Sequence, residues 1–293
     1  SMLECYYDIN KKDKFEEIFG KLYIGENPTP EHNKYLVIHL NFAEVSAGLD
    51  DYKRGLDAHC NIMFGYFCDI YARLLPPGTK EEMNQKDGAV EQLRFLCQKA
   101  TEAGQKIYLF IDEYDNFTNM ILANEEHLIR YRKQTHGEGY LRKFFNTIKG
   151  AAGGALARVF VTGVSPVTMD DLTSGFNIGT NYSLNPRFNE MTGFTEEEVR
   201  EMLEYYASVL PFNHSVDELI KVMKPWYDNY CFAEEEYGKT TMYNSIMVLN
   251  FVSNYIDCGY QIPKRMIESN IRMDYDKMRM LIRHDKSFSH DAS

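Results

Sequence analysis

Three short apolar runs limit what this chain can fold into. They are Lys34–Phe42 ("KYLVIHLNF"), Lys106–Ile111 ("KIYLFI") and Arg158–Thr162 ("RVFVT"). Apolar side chains at successive positions are the pattern of a strand covered on both faces. Stretches of helical length separate the runs: about Leu49–Leu75, Val90–Ala103 closed by Gly104, and most of Asn116–Lys149. A helix is also expected over Met2–Phe19, ending near Gly20, with Pro28 and Pro30 in a loop and a turn at Gly150, Gly153 and Gly154. Strands joined by long helical crossovers predict an α/β domain with a parallel sheet.

The texture changes near Met191. "TGFTEEEVREMLEYYASVL" contains a capping box, with Thr195 as N-cap and Glu198 three residues on. Its apolar stripe is Val199, Met202, Leu203, Tyr206 and Leu210. Further helices are expected over Val216–Tyr230 and Asn244–Tyr255, with a short strand near Thr240–Tyr243. The chain is therefore read as an α/β core over residues 1–190 and a mainly helical, lid-like or adaptor region over residues 191–293.

The 293 residues are 44% apolar and 26% charged, which excludes a disordered or collagen-like chain. The formal net charge of −11 disfavours non-specific nucleic-acid binding, although "KRMIESNIRMDYDKMRMLIRHDK" near the end is locally basic. No run is long enough to cross a bilayer, and Glu4, Asp8, Lys11 and Lys12 interrupt any leader-like apolar stretch. Cys5, Cys60, Cys68, Cys97, Cys231 and Cys258 form no C-x-x-C pair, the usage of reduced thiols in a cytoplasmic protein.

Asp112 and Glu113 end the second apolar run and are the sharpest chemical signal. Groups that act on ligands in open α/β sheets sit at the carboxyl ends of strands. Adjacent carboxylates there suit nucleotide hydrolysis: one holds a Mg²⁺-bound water and the other orients or deprotonates the attacking water. The same pair also reads as the start of a solvated loop or a helix cap. Thr162 and Ser165 end the third run, where a hydroxyl can meet a phosphate or water; Gly163 and Pro166 equally make a tight turn. A phosphate cradle of the form G-x-x-x-x-G-K-[ST] is missing. Gly238-Lys239-Thr240 is a decoy, because Ala233 stands at the first glycine position and Glu234, Glu235 and Glu236 fill the loop. The eight histidines show no metal-ligand spacing, and His39 reads as a core or sheet-face residue. The aromatic stretch Pro225–Phe232 reads as packing.

In order along the chain, "SMLECYYD", "FEEIFGKLYIGENP", "YLVIHLNF", "KIYLFIDEYDNF", "VFVTGVSPVTMDDLTSGFNIGTNYSL", "MTGFTEEEVREML", "WYDNYCF" and "MYNSIMVLNF" resemble the bacterial AAA-ATPase-like family. Its members are P-loop ATPases, often fused to a C-terminal PD-(D/E)XK nuclease domain. The resemblance implies a P-loop-NTPase-like three-layer core followed by a helical lid or winged-helix-like region. It implies ATP and Mg as cofactors and makes Asp112 and Glu113 the Walker B pair. Thr162 becomes a sensor candidate, Ser165 a cofactor contact and Arg187 a phosphate-facing cation. In the family a segment resembling R-P-R-R-F-G-K-[ST] precedes a helix that "SMLECYYD" matches in its middle. The expectation is therefore a fragment that lacks its first strand and phosphate loop, and that is inactive by itself.

Two consequences are expected. The whole protein would hydrolyse ATP to regulate an attached effector, such as a nuclease, without membrane or nucleic-acid contact by this chain. A sheet lacking its first strand exposes an apolar edge, so a rearranged edge, a covering helix or homo-oligomerisation is expected, and any strand near Tyr182–Leu184 loses its neighbour. The alternative is a non-catalytic protein-interaction module with a degenerate nucleotide site, binding through Trp226, Tyr227 and Tyr230.

Overall fold

The computed structural model describes residues 1–45, 52–116, 139–163 and 179–267. The chain divides into two compact units, Ser1–Gly179 and Thr180–Ser293, a division earlier than the boundary read at residue 190. The first unit is built on β1 (Leu36–Asn41), β2 (Ile107–Asp112) and β3 (Leu156–Val161), all parallel, with β2 in the middle. The α/β class and the parallel sheet read from the apolar runs are thus present, with three strands among the described residues.

One sheet face is formed by Leu36, Ile38 and Leu40 of β1, Ile107, Leu109 and Ile111 of β2, and Leu156, Val159 and Val161 of β3. It packs against α4 (Tyr52–Ile70), α6 (Gly88–Glu102) and α7 (Tyr140–Ala151), with α5 (Thr79–Met83) beside α6. Cys60, Cys68 and Cys97 lie in this core as free thiols, and burial pushes Cys68 and Cys97 up to about 11. They are protonated packing residues at neutral pH.

The opposite face carries Val37, His39, Asn41, Tyr108, Phe110, Asp112, Arg158 and Phe160. The helix α1 (Met2–Tyr7) packs there, with the Tyr7 ring 4.8 Å from Tyr108 and 6.5 Å from Phe110. The single helix expected over Met2–Phe19 is broken at Asp8. Asp8 takes an extended backbone and bridges Tyr35, so Tyr35 N donates to Tyr7 O and Ile9 N to Tyr35 O. Its carboxylate accepts from Asn10 N and Tyr71 Oη, and Tyr71 Oη accepts from Val37 N. An aspartate whose carboxylate accepts two hydrogen bonds in an extended state outcompetes helix continuation. A 3₁₀ turn (Ile9–Lys14), α2 (Phe15–Phe19) and α3 (Tyr23–Glu26) follow.

These bonds close part of the outer edge of β1. The edge of β3 is different: apart from the local turn at Ala152–Leu156, no strand lies beside it among the described residues. Phe160 stays 38% exposed on it. Residues Tyr182–Leu184 form no strand; they lie exposed before a 3₁₀ turn at Pro186–Phe188.

The second unit contains α8 (Glu196–Val209), α9 (Val216–Tyr227) and α10 (Ser245–Asp257), packed around Leu203, Met223, Tyr227, Tyr243 and Phe251. The capping box of Thr195 and Glu198 forms as read, and Ser215 with Glu218 makes a second. The helix expected to reach Tyr230 stops at Tyr227, because Asp228–Tyr230 (β4) pairs antiparallel with Met242–Tyr243 (β5). Phe194 also bridges Tyr243, and Gly193 at φ +97° permits the approach: a Cβ there would stand 2.8 Å from Tyr243 O. Among the described residues no helix is long and apolar enough to cross a membrane.

Candidate functional site

Asp112 is the last residue of β2 and pairs with Asn41, the last residue of β1. Thr162 follows β3 directly, and its N–H donates to Ile111 O at 2.9 Å. Three polar residues therefore stand side by side at the carboxyl end of the sheet. Thr162 Oγ1 donates to Asp112 Oδ1 at 2.5 Å, and Glu113 N donates to the same oxygen at 3.0 Å. Both bonds end on Oδ1, and no described residue bonds Oδ2.

Glu113 has a backbone φ of +52°, a conformation that disfavours a side chain bearing Cβ. Its carboxylate makes no hydrogen bond or ion pair with another described residue. The turn continues with Tyr114 N donating to Thr162 O at 3.1 Å and Asn116 N to Glu113 O at 2.9 Å. Asp115 is fully buried beneath it. Gly163 is needed here, because a Cβ would meet Asp115 Oδ1 and the Tyr114 ring at 2.5 Å. Backbone strain at a position whose side chain is unengaged points to a use outside the fold.

A Mg²⁺ ion keeps several waters and takes most remaining ligands from phosphates. One carboxylate with a spare oxygen fits that demand. An all-protein cage is not offered: among the described residues no group of three or more His, Cys, Asp or Glu is arranged to hold a metal.

The fold thus brings together Asp112, Glu113 and Thr162 from the residues read as chemical. Ser165 lies outside the described residues. Arg187 belongs to the second unit, on the exposed 3₁₀ turn, where its N–H donates to Asn185 Oδ1. Lys239 of the decoy pairs with Glu236 at 3.7 Å in the loop between the antiparallel strands β4 and β5, not between a parallel strand and a helix. Reading by motif missed Asn41 and the partner of His39. His39 Nδ1 lies 2.6 Å from Glu4 Oε1 of α1. Alternation along "VIHLN" places His39 and Asn41 on one face and was the available signal; the link to Glu4 is long-range.

This pair is electrostatically tuned. The hydrogen bond to His39 holds Glu4 well below its ordinary 4.5, at about 2, against burial. The same bond raises His39, helped by the charges of Glu4 and Asp112 and opposed by burial.

The family model described as "Predicted AAA-ATPase" matches residues 1–173, and the chain belongs to that family. Neither a search of curated proteins nor one of solved structures gave a match.

Two outcomes follow from this geometry. Glu113→Gly relieves the left-handed strain and should raise unfolding stability by about 0.5–1 kcal/mol in urea melts, while removing the carboxylate. A lower stability would show that Glu113 is not strained. For the ion pair, the lowered Glu4 contributes stability above its ordinary pKa of 4.5 and loses it as pH falls toward 2. The raised His39 contributes fully below 6.5 and loses that contribution as pH rises through its folded value. Glu4→Gln should therefore destabilise most between those limits, as read by urea midpoints across pH; a pH-independent difference would contradict the pairing.

Proposed function

We propose that this member of the predicted AAA-ATPase family is the Asp-Glu half of an ATP-hydrolysing switch. The observation that carries the reading is the Thr162–Asp112 hydrogen bond at the ends of adjacent strands, beside a strained and unengaged Glu113. Asp112 Oδ2 orients a cation-bound water. Thr162 fixes the carboxylate rotamer through Oδ1 and senses the state of that oxygen. Glu113 acts as general base on the attacking water. Mg²⁺, when bound, supplies charge neutralisation on the phosphates. Ser165 and Arg187 remain proposed nucleotide contacts.

The main phosphate grip of such a site comes from backbone N–H groups and a lysine. Residues 1–293 hold no G-x-x-x-x-G-K-[ST] segment. We place that element beside β3, whose outer edge has no strand partner among the described residues. The fold is then a P-loop core with its first strand supplied from outside the described residues and the second unit as lid. Nucleotide turnover in the cytoplasm would move that lid and regulate an effector, for which a nuclease domain is the proposed type. The absent grip also supports a second reading, a protein-interaction module without nucleotide chemistry, with half-exposed Trp226 as its anchor.

Steady-state hydrolysis by the full-length gene product separates the two. Glu113→Gln should lower kcat about 100-fold or more with little change in KM for Mg·ATP, as expected for loss of a general base. Thr162→Ala should lower it less. A wild-type protein without ATPase activity favours the interaction module, and a Glu113→Gln variant with unchanged kcat overturns the general-base role of Glu113.

A further inference from the structure

The outer face of α4 lacks the polar surface that a solvent-facing helix carries. Its inner face buries Leu56, Cys60, Phe64, Phe67 and Cys68 in the core. On the other side Ile62, Tyr66 and Ile70 are 56%, 59% and 59% exposed. Among the described residues no other helix exposes three large apolar side chains. From Ala58 to Ile70 the sole Asp, Glu, Lys or Arg is Asp69, in a chain of which 26% is charged. Lys80 Nζ of α5 meets the Asp69 carboxylate at 2.5 Å, so this stretch is neutralised. A helix that is apolar on both sides is one that is covered on both sides.

Gly65 stands between these side chains. Glycine weakens the interior of a helix. Packing within the chain does not ask for it: a Cβ there would find only Lys80 Cε, at an ordinary 3.9 Å. Gly65 instead lies in a hollow of about 240 Å³, bounded by Asn61, Ile62, Tyr66, Asp69, Lys80 and Asn84. Ile62 and Tyr66 border it, so hollow and stripe belong to one surface.

The stripe also identifies its occupant. Ile62, Tyr66 and Ile70 are four residues apart and form one ridge of the helix. The order reads the same in either direction about Tyr66. Two antiparallel copies related by a two-fold axis at Tyr66 set Ile62 of each against Ile70 of the other. Each Tyr66 ring then reaches the hollow over the other copy's Gly65. A two-fold contact requires such self-complementarity. Charge points the same way. Each chain carries a net charge of −11, and a neutral face is where two copies meet with least repulsion.

We propose that the outer face of α4 is a homodimer interface, with Tyr66 on the two-fold axis and Gly65 admitting the partner's ring. Since α4 packs on β1, the interface is separate from the outer edge of β3. It does not depend on the nucleotide reading.

Analytical ultracentrifugation of the full-length gene product tests this. Wild type should sediment as a dimer at about 10 µM. Tyr66→Arg should raise the dimer dissociation constant about 100-fold or more, because a central aromatic dominates such contacts. Gly65→Ala should raise it about tenfold with circular dichroism unchanged, since its methyl fits the protomer and suits the helix. Ile62→Glu and Ile70→Lys should each be monomeric alone. Their equimolar mixture should regain a dimer, because the two charges meet in the antiparallel register. A monomeric wild type overturns the inference, as does a dimer that survives Tyr66→Arg. A mixture that stays monomeric overturns the pairing about Tyr66. Should Tyr66→Arg not fold, Gly65→Ala and the mixture decide: an unchanged constant or an unrestored dimer overturns the interface.

Discussion

The parallel pairing of β1, β2 and β3 positions Asn41, Asp112 and Thr162 at one end of the sheet. Side chains alternate along each strand, so a slip of one residue would turn Asp112 toward the core and an isoleucine toward solvent. The irregularity in β3 serves the same end. Ile107 pairs with Leu156 but Tyr108 pairs with Arg158, so Ala157 is an extra residue. Had the register run unbroken from Leu156, Val161 and not Thr162 would stand beside Asp112. The bulge thus turns an apolar neighbour into a hydroxyl donor within 2.5 Å of the carboxylate.

The site combines strain with spare capacity. Glu113 is held at positive φ by the turn around it, and Gly163 lets Tyr114 and Asp115 pack closely enough to keep it there. Asp112 is immobilised through one oxygen. On the neighbouring strand, His39 pairs with Glu4 on the same face. The outer edge of β3 has no strand partner among the described residues, and Phe160 stays exposed on it.

Much of the sheet was legible because buried parallel strands need continuous apolar runs, and "VIHLN", "IYLFID" and "RVFV" supply them. The ends of the elements were less legible. Asp8 breaks a helix that its neighbours favour, since Tyr71 after α4 and the Tyr35 segment before β1 are both distant in sequence. Tyr230 leaves its expected helix for a two-residue partner at Met242–Tyr243. The Asp-Glu pair could be read from its place after an apolar run, and Thr162 from a similar place. Nothing local in the sequence announces that Glu4 meets His39, or that Ala157 is a bulge. Both depend on packing between segments far apart in the chain.

Calorimetric titration of Mg·ATP into the full-length gene product, with Asp112→Asn beside wild type, tests the central claim most directly. The account predicts saturable, Mg²⁺-dependent binding by wild type and its loss in Asp112→Asn, whose fold is retained because an amide oxygen still accepts from Thr162 and Glu113 N. Equal binding by the two proteins, or none by wild type, would contradict the assignment of this strand end as a nucleotide site.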